Sequence, residues 1–437
     1  MVQNVIMAGL NIKNKKKMNK EIKWGTIIPL IGGSAIGCSR SAESKPLFHL
    51  SYEAFAANES HIERYWEGIP MYRLDAPNLE IPSSTFEGVD YVNSVCPCAG
   101  LSLLNSARGS EASRGSDAVQ NKWMYESSEY ILENVKPKVL WGENAPGLFT
   151  KMGEGVVTRL RQIAEKHGYS FSLIKTNTEL HGIPQRRIRT FYFFWNTPSV
   201  PMLNWKFREK KSLLDYLSEI PKAASLQDMF MVSGKVTDHF RPYEFVLERE
   251  GLTHSEFSKK YKKGTIAQYF DEHNLIDECI EWLRVKYPKE GFSNKKSTKT
   301  FIDMLEHQKA KLSDGKGYWD ASPHFFHDSF SALIGRNMFN GVHPVENRYL
   351  NVREMLHLMG MPHDFEIQDS RQVNHIAQNV PVRTAQDMAD EVKKFCQGEL
   401  KMTSYKYMKQ DNTIQKVIEA EEFSKEPKQR YKIVSVI

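Results

Sequence analysis

Short apolar runs alternate with longer amphipathic stretches from Trp24 to about Trp195. The runs are Thr26-Ile27-Ile28-Pro29-Leu30-Ile31, Leu47-Phe48-His49-Leu50-Ser51-Tyr52, Tyr91-Val92-Asn93-Ser94-Val95, Val139-Leu140-Trp141, Ser170-Phe171-Ser172-Leu173-Ile174 and Thr190-Phe191-Tyr192-Phe193-Phe194-Trp195. Each has the length of a buried strand, and the stretches between them, such as 122–134 and 155–167, have helical length. Strands alternating with helices predict an α/β fold, a doubly wound and mostly parallel sheet with helices on both faces. From about residue 196 to 347 the regularity is lost. There Lys-rich pieces (206–211, Lys259-Lys260, Lys262-Lys263, Lys295-Lys296) interleave with aromatics such as Tyr261, Tyr269, Trp282, Tyr287 and Trp319. Helical text resumes at 352–360, closed by Gly360, and again at 382–395. The expected organisation is a basic extension (1–23), a main α/β domain (24–195), an inserted domain (196–347), a return to the main domain (348–396) and a charged tail (397–437).

Composition narrows the class without fixing it. The chain has 437 residues, 41% hydrophobic and 26% charged, which suits one large globular domain with an insertion. A net charge of +6 is compatible with a polyanionic partner but does not require one. Five scattered cysteines (Cys38, Cys96, Cys98, Cys279, Cys396) argue against a disulfide framework and for a reducing compartment. Cys96 and Cys98 have no second close Cys or Cys/His pair at zinc spacing, so no metal site is expected. No apolar run approaches the ~18 residues that span a bilayer. The order at the start, apolar piece before Lys13 and Lys15-Lys16-Lys17, is the reverse of a secretory signal. A cytoplasmic protein without a membrane partner is the expectation.

The candidate chemistry sits at two strand ends. Cys96-Pro97-Cys98-Ala99 follows the apolar run that ends at Val95, and a Gly/Ser/Arg-rich loop (100–115) follows in turn. Val139-Leu140-Trp141 runs into Gly142-Glu143-Asn144 and so ends in a carboxylate. In a parallel sheet those ends face one crevice, which brings a thiol nucleophile and an acid together and suggests an enzyme. Taken singly the features are bland: a lone Cys is usually inert core, a Glu-Asn pair a turn, an Arg string a solvated face.

Together they resemble the cytosine-C5 DNA methyltransferase family. The Pro97-Cys98 nucleophile, the Glu143-Asn144 pair and the string Gln185-Arg186-Arg187-Ile188-Arg189 appear in that family's order. Arg348-Tyr349-Leu350-Asn351-Val352-Arg353-Glu354, running on to Gly360-Met361-Pro362, and Gln378-Asn379-Val380-Pro381 match as well. The resemblance implies a Rossmann-like, S-adenosylmethionine-dependent enzyme, with the insert as target-recognition domain, acting on a cytosine flipped out of a specific duplex DNA sequence. It implies Cys98 as the thiolate adding at C6, Glu143 at N3, Arg189 at O2, and Arg187 orienting Glu143 or a phosphate. It further implies Ser102, Arg114 and Gln185 on the DNA side. On the cofactor side it implies Ile28, Gly32 and Gly33 in the glycine turn, Glu53 for ribose hydroxyls, Asp75 for the adenine amino group, and Asn379 closing the pocket. The 100–115 loop, with Arg108 and Arg114, suits a lid over the flipped nucleotide.

The chain departs from the family pattern at three places. Ile28-Pro29-Leu30 stands for the usual Phe-Ala-Gly, Ala99 for Gln, and Gln378 for Gly. A cognate restriction endonuclease is a partner expectation beside a solitary or viral role, and a monomer is expected. Rival readings are an RNA cytosine-C5 methyltransferase and a catalytically silent DNA-binding homologue. A dinucleotide-dependent oxidoreductase shares the fold class but leaves Cys98, Glu143 and Arg189 unexplained.

Overall fold

The structure, a computed structural model, describes residues 21–97, 99–102, 115, 118–203, 208–221, 241–253, 256–257, 260, 266–286, 306–307, 309–310, 324–325, 329–335, 341–346, 349–367, 372–402, 407–410 and 413–417. Its centre is a sheet in the order β3 (Met71–Arg73), β2 (His49–Ser51), β1 (Trp24–Ile27), β4 (Tyr91–Val95), β5 (Val139–Asn144), β8 (Ile188–Trp195), β6 (Ser170–Asn177). β1 pairs in parallel with β2 and β4, β2 with β3, and β4 with β5. β8 runs antiparallel to its neighbours β5 and β6. This is the doubly wound, mostly parallel arrangement that the alternation predicts. Strand order reverses at β1, so a crevice opens beyond the carboxyl ends of β1 and β4.

The central strands are buried on both faces, which is why they read as unbroken apolar runs. β4 and β5 are buried at every position, as is β8 from Thr190 onward. Aromatic stacks knit this region: Trp141 on Phe193 at 6.0 Å between ring centroids, and Phe193 on Trp195 at 5.0 Å. Helices α1 (Gly33–Ala42), α2 (Ala56–Tyr65), α3 (Lys122–Tyr130) and α4 (Glu154–Lys166) lie between the strands. Right-handed crossovers put α1 and α2 on one face and α3 and α4 on the other. The stretch expected as one helix over 122–134 is α3 followed by a π turn, Ile131–Val135, which Lys136 ends at φ 52°.

Helices α5 (Leu213–Leu217), α6 (Arg241–Glu250), α7 (Ile266–His273) and α8 (Ile276–Lys286) follow. Tyr243, Phe245, Phe257, Tyr269, Phe270 and Cys279 build a second core there, separate from the first. Tyr269, one of the aromatics interleaved with lysines, is thus internal packing rather than surface. Lys260 pairs with Glu250, and Lys286 with Glu244 and Glu248. Tyr261, Tyr287, Trp319, Lys259 and the lysines at 262–263 and 295–296 lie outside the described residues.

The chain then returns through α9 (Val352–Leu358), α10 (Asn374–Gln378) and α11 (Val382–Cys396), which packs on α1. A capping box fixes the start of α9: the Asn351 side chain accepts from the Glu354 amide, and Glu354 accepts from the Asn351 amide. The charged segment after α11 contributes structure of its own. β12 (Tyr407–Gln410) and β13 (Thr413–Val417) pair antiparallel, and β13 adds antiparallel to β6 with Ile414 opposite Lys175. The pairing satisfies an edge that would otherwise present bare amides and carbonyls. Among the described residues no helix is long and apolar enough to cross a membrane.

Candidate active site

Glu143, the penultimate residue of β5, lies opposite Val95, the last residue of β4, in parallel register. The two strands therefore deliver the carboxylate and the Cys96-Pro97 loop to one end of the sheet. Asn144 fastens them together. Its amide nitrogen donates to Cys96 O at 3.5 Å, and its side-chain oxygen accepts from the Ala145 amide at 2.9 Å. Cys98 and Arg114 lie outside the described residues, as does Arg108. Ser102 is half-buried just after the turn Ala99–Leu101.

Of the two neighbouring thiols, Cys96 is shut away. It is 2% exposed, with Ser94 Oγ at 3.2 Å, Ser127 Oγ at 3.6 Å and the Tyr192 hydroxyl at 3.8 Å from its sulfur. Burial raises its pKa, so it stays a thiol and cannot serve as nucleophile.

Glu143 is 4% exposed, and burial raises its pKa against the opposing charges of Arg189 and Arg187. Arg189 reaches it from β8, Nε to Oε1 at 2.7 Å, and also donates from Nη1 to Ile188 O at 2.7 Å. The contact with Glu143 is an ion pair. A buried carboxyl whose pKa is raised by burial, beside a guanidinium, can donate a proton or hydrogen bond to a heterocycle as charge develops on it.

The other two members of the Gln-x-Arg-x-Arg string are buried. Gln185 is fully buried in the short strand β7 (Gln185–Arg186), which pairs in parallel with β10 (Phe330–Ser331). Its Nε2 donates to Leu358 O at 2.8 Å, and its Oε1 accepts from the Leu333 amide at 3.0 Å. This corrects the DNA-side expectation: period-2 alternation turns 185 and 187 inward and leaves Arg186 and Ile188 exposed. Arg187 is 2% exposed and donates to the carbonyls of Leu333 (2.8 Å), Ala377 (2.9 Å) and Asn379 (2.8 Å). Of the two roles expected of it, orienting Glu143 or a phosphate, burial leaves little access for a phosphate, while its charge opposes the rise of the Glu143 pKa.

The glycine turn follows β1. Gly32 sits at φ 96°, and a Cβ there would lie 2.4 Å from Ile62 Cδ1; one at Gly33 would lie 2.3 Å from Asn379 Nδ2. Both glycines are thus required by protein packing on either side of the turn. The Gly33 amide donates to Asn379 Oδ1 at 2.8 Å. Ile28 and Leu30, at two of the departing positions, adopt φ 53° and 52°. A β-branched residue in the left-handed region is strained. The Ile28 side chain is fully buried, so only its backbone is available to a ligand. Gln378, where the family pattern has glycine, accepts from Asn58 Nδ2 of α2 at 2.8 Å.

Glu53 and Asp75 are both exposed near the ends of β2 and β3. Asp75 accepts the Glu53 amide at 2.9 and 3.2 Å, which leaves the Glu53 carboxylate facing solvent and Asp75 with spare lone pairs. Both are exposed acceptors near the ends of neighbouring parallel strands, able to accept hydrogen bonds from hydroxyl or amine groups.

Several supporting residues escaped the sequence. Buried Glu59 on α2 accepts from Ser51 Oγ at 2.5 Å and from Arg73, and so ties the ends of β2 and β3 together. Burial lifts its pKa to about 7. His181 Nδ1 lies 2.8 Å from Asp387 of α11, which also pairs with Arg208 at 2.7 Å. Only the adjacency of Asn144 to Glu143 carried any signal; the rest are long-range pairs.

Compared with known proteins, residues 53–394 match the model of the C-5 cytosine-specific DNA methylase family. A type II methyltransferase of Bacillus paralicheniformis is 23% identical over 354 residues, 75% of this chain and 75% of that one. Among solved structures, a prophage-encoded Escherichia coli protein assigned as a DNA modification methyltransferase superposes with a TM-score of 0.52. It is 12% identical, and the match covers 85% of this chain and 98% of that one. That likeness is one of fold.

Proposed function

The chain belongs to the C-5 cytosine-specific DNA methylase family, and from that premise we propose how its own residues methylate cytosine in DNA. S-adenosylmethionine, when bound, supplies an electrophilic methyl group; Glu53, Asp75 and the turn from Ile28 to Gly33 would hold it, with Asn379 fixing the turn. Cys98 adds its thiolate to C6 of a flipped cytosine, which makes C5 nucleophilic. Glu143, protonated, donates to N3 as charge builds on the ring, and Arg189 holds O2. Asn144 positions the loop that carries Cys98. Once C5 carries the methyl group, loss of its proton to solvent and return of the N3 proton to Glu143 restore the aromatic ring and expel the thiolate. Ser102 and Arg114 act on the target strand, and the region 196–347 reads the sequence.

The observation that carries this reading is the buried, charge-opposed Glu143 beside Arg189, at the strand end level with the loop to Cys98. Labelled-methyl transfer to duplex DNA but not to RNA is the expected result, with the site then found by bisulfite sequencing. Cys98→Ser should abolish turnover while DNA binding persists. Normal turnover in that variant refutes the nucleophile, and transfer to RNA alone refutes the substrate. A cognate endonuclease and a monomeric state are proposals too, to be tested by co-purification and by sedimentation.

A further inference from the structure

The Gln185 to Arg189 string joins three parts of the molecule. Arg189 lies on Glu143, on the side of the base. Gln185 grips the 329–335 segment, whose Phe330 and Leu333 pack into the main core at the end of the insert, by accepting the Leu333 amide, and grips the end of α9 by donating to Leu358 O. Arg187 donates from Nη1 to the Leu333 carbonyl and from Nη2 to the carbonyls of Ala377 and Asn379. Asn379 in turn accepts the Gly33 amide, at the head of α1. A continuous path of hydrogen bonds thus runs from the insert, through one buried guanidinium, to the turn on the cofactor side.

We infer that Arg187 is a positioning residue that couples the seating of DNA on the insert to the methyl-donor turn. A guanidinium is a planar, rigid fork, so the carbonyls it holds keep fixed relative positions. If DNA binding steadies the 329–335 segment, Arg187 passes that order to Asn379 and Gly33. The donor then finds its turn already arranged. Linkage makes the effect reciprocal: each ligand tightens the other by the same factor, in the range of roughly 5- to 150-fold. The inference rests on the reading of function above.

The test uses the full chain, S-adenosylhomocysteine as a non-reacting probe of the donor site, and duplex DNA carrying the site found by bisulfite sequencing. Calorimetry gives the affinity for each ligand with and without the other. Wild type should show mutual tightening of at least about fivefold. Arg187→Lys keeps the charge but cannot span three carbonyls, and should bring the coupling factor, taken against each ligand's separate affinity in the same variant, close to unity. Gln185→Ala, which loosens the grip on Leu333 without touching Asn379, should reduce the factor as well, and serves if Arg187→Lys does not fold. A wild-type protein that binds both ligands with no mutual effect overturns the coupling alone, as do folded variants with the wild-type factor. Failure of the wild type to bind either ligand overturns the functional reading, and the coupling with it.

Discussion

Glu143 faces opposed demands: burial drives it toward the neutral acid, while Arg189 and Arg187 favour the anion. Its pKa stays above the ordinary carboxylate value, so the sign of its pH effect follows. If the protonated carboxyl is the working form, kcat/KM falls as pH rises through that raised pKa. Arg189→Ala removes the leading charge that holds the pKa down, so the falling limb should move to higher pH in the residual activity; an unmoved limb sinks the assignment. Glu143→Gln should lose the limb and about 10²- to 10⁴-fold in kcat, with DNA affinity kept. Glu59 gives a stability counterpart. Its folded pKa of about 7 exceeds the unfolded value, so its contribution is full below about pH 4.5 and is lost as pH rises through 7. In Glu59→Gln, denaturant titrations across that window should lack this fall. Leu30 holds a left-handed conformation where the family pattern has glycine, yet it is only 6% exposed. Removing the side chain loses burial in either variant, but only glycine also relieves the backbone. Leu30→Gly should therefore be more stable than Leu30→Ala by roughly 1 kcal/mol, the reverse of the usual order.

At the scale of elements, the sheet is closed at one side by a hairpin whose residues carry little sign of it. β13 pairs with β6 from Val417 opposite Ser172 to Ile414 opposite Lys175. A chain ending at residue 402 leaves that strand as an open edge. Light scattering on warming should then rise earlier than in the full chain; identical curves would mean that the hairpin protects nothing. The central elements were legible for a different reason. β4, β5 and β8 are buried on both faces, so their whole length had to be apolar, and the runs announced them. β12 and β13 form an edge pairing held by backbone bonds, and such pairing does not require an unbroken apolar run. The string 185–189 shows the same divide within a few residues. Its residue types pointed to a site, but the types alone could not say which side chains turn inward.

For the whole molecule, the net charge of +6 is unevenly spread. Helices α6, α7 and α8 carry four basic and eight acidic side chains, so the attraction for phosphate must come from elsewhere. Arg186, exposed on β7 beside buried Arg187 and close in sequence to Arg189, is a candidate for that role. Arg186→Ala should weaken DNA binding regardless of sequence and lower the slope of log affinity against log salt by about 1; an unchanged slope excludes it. The amino-acid sequence by itself determined the alternation of strands and helices, hence the fold, and the order of reactive residue types, hence the chemistry. Both are written locally, in periodicity and at strand ends. Only the tertiary structure decided that Cys96 is inert, that Gln185 and Arg187 are buried ties, and that Asn379 holds the turn at Gly33. Each of those depends on partners tens to hundreds of residues away, and burial, which sets both protonation and reach, exists only once the chain has closed on itself.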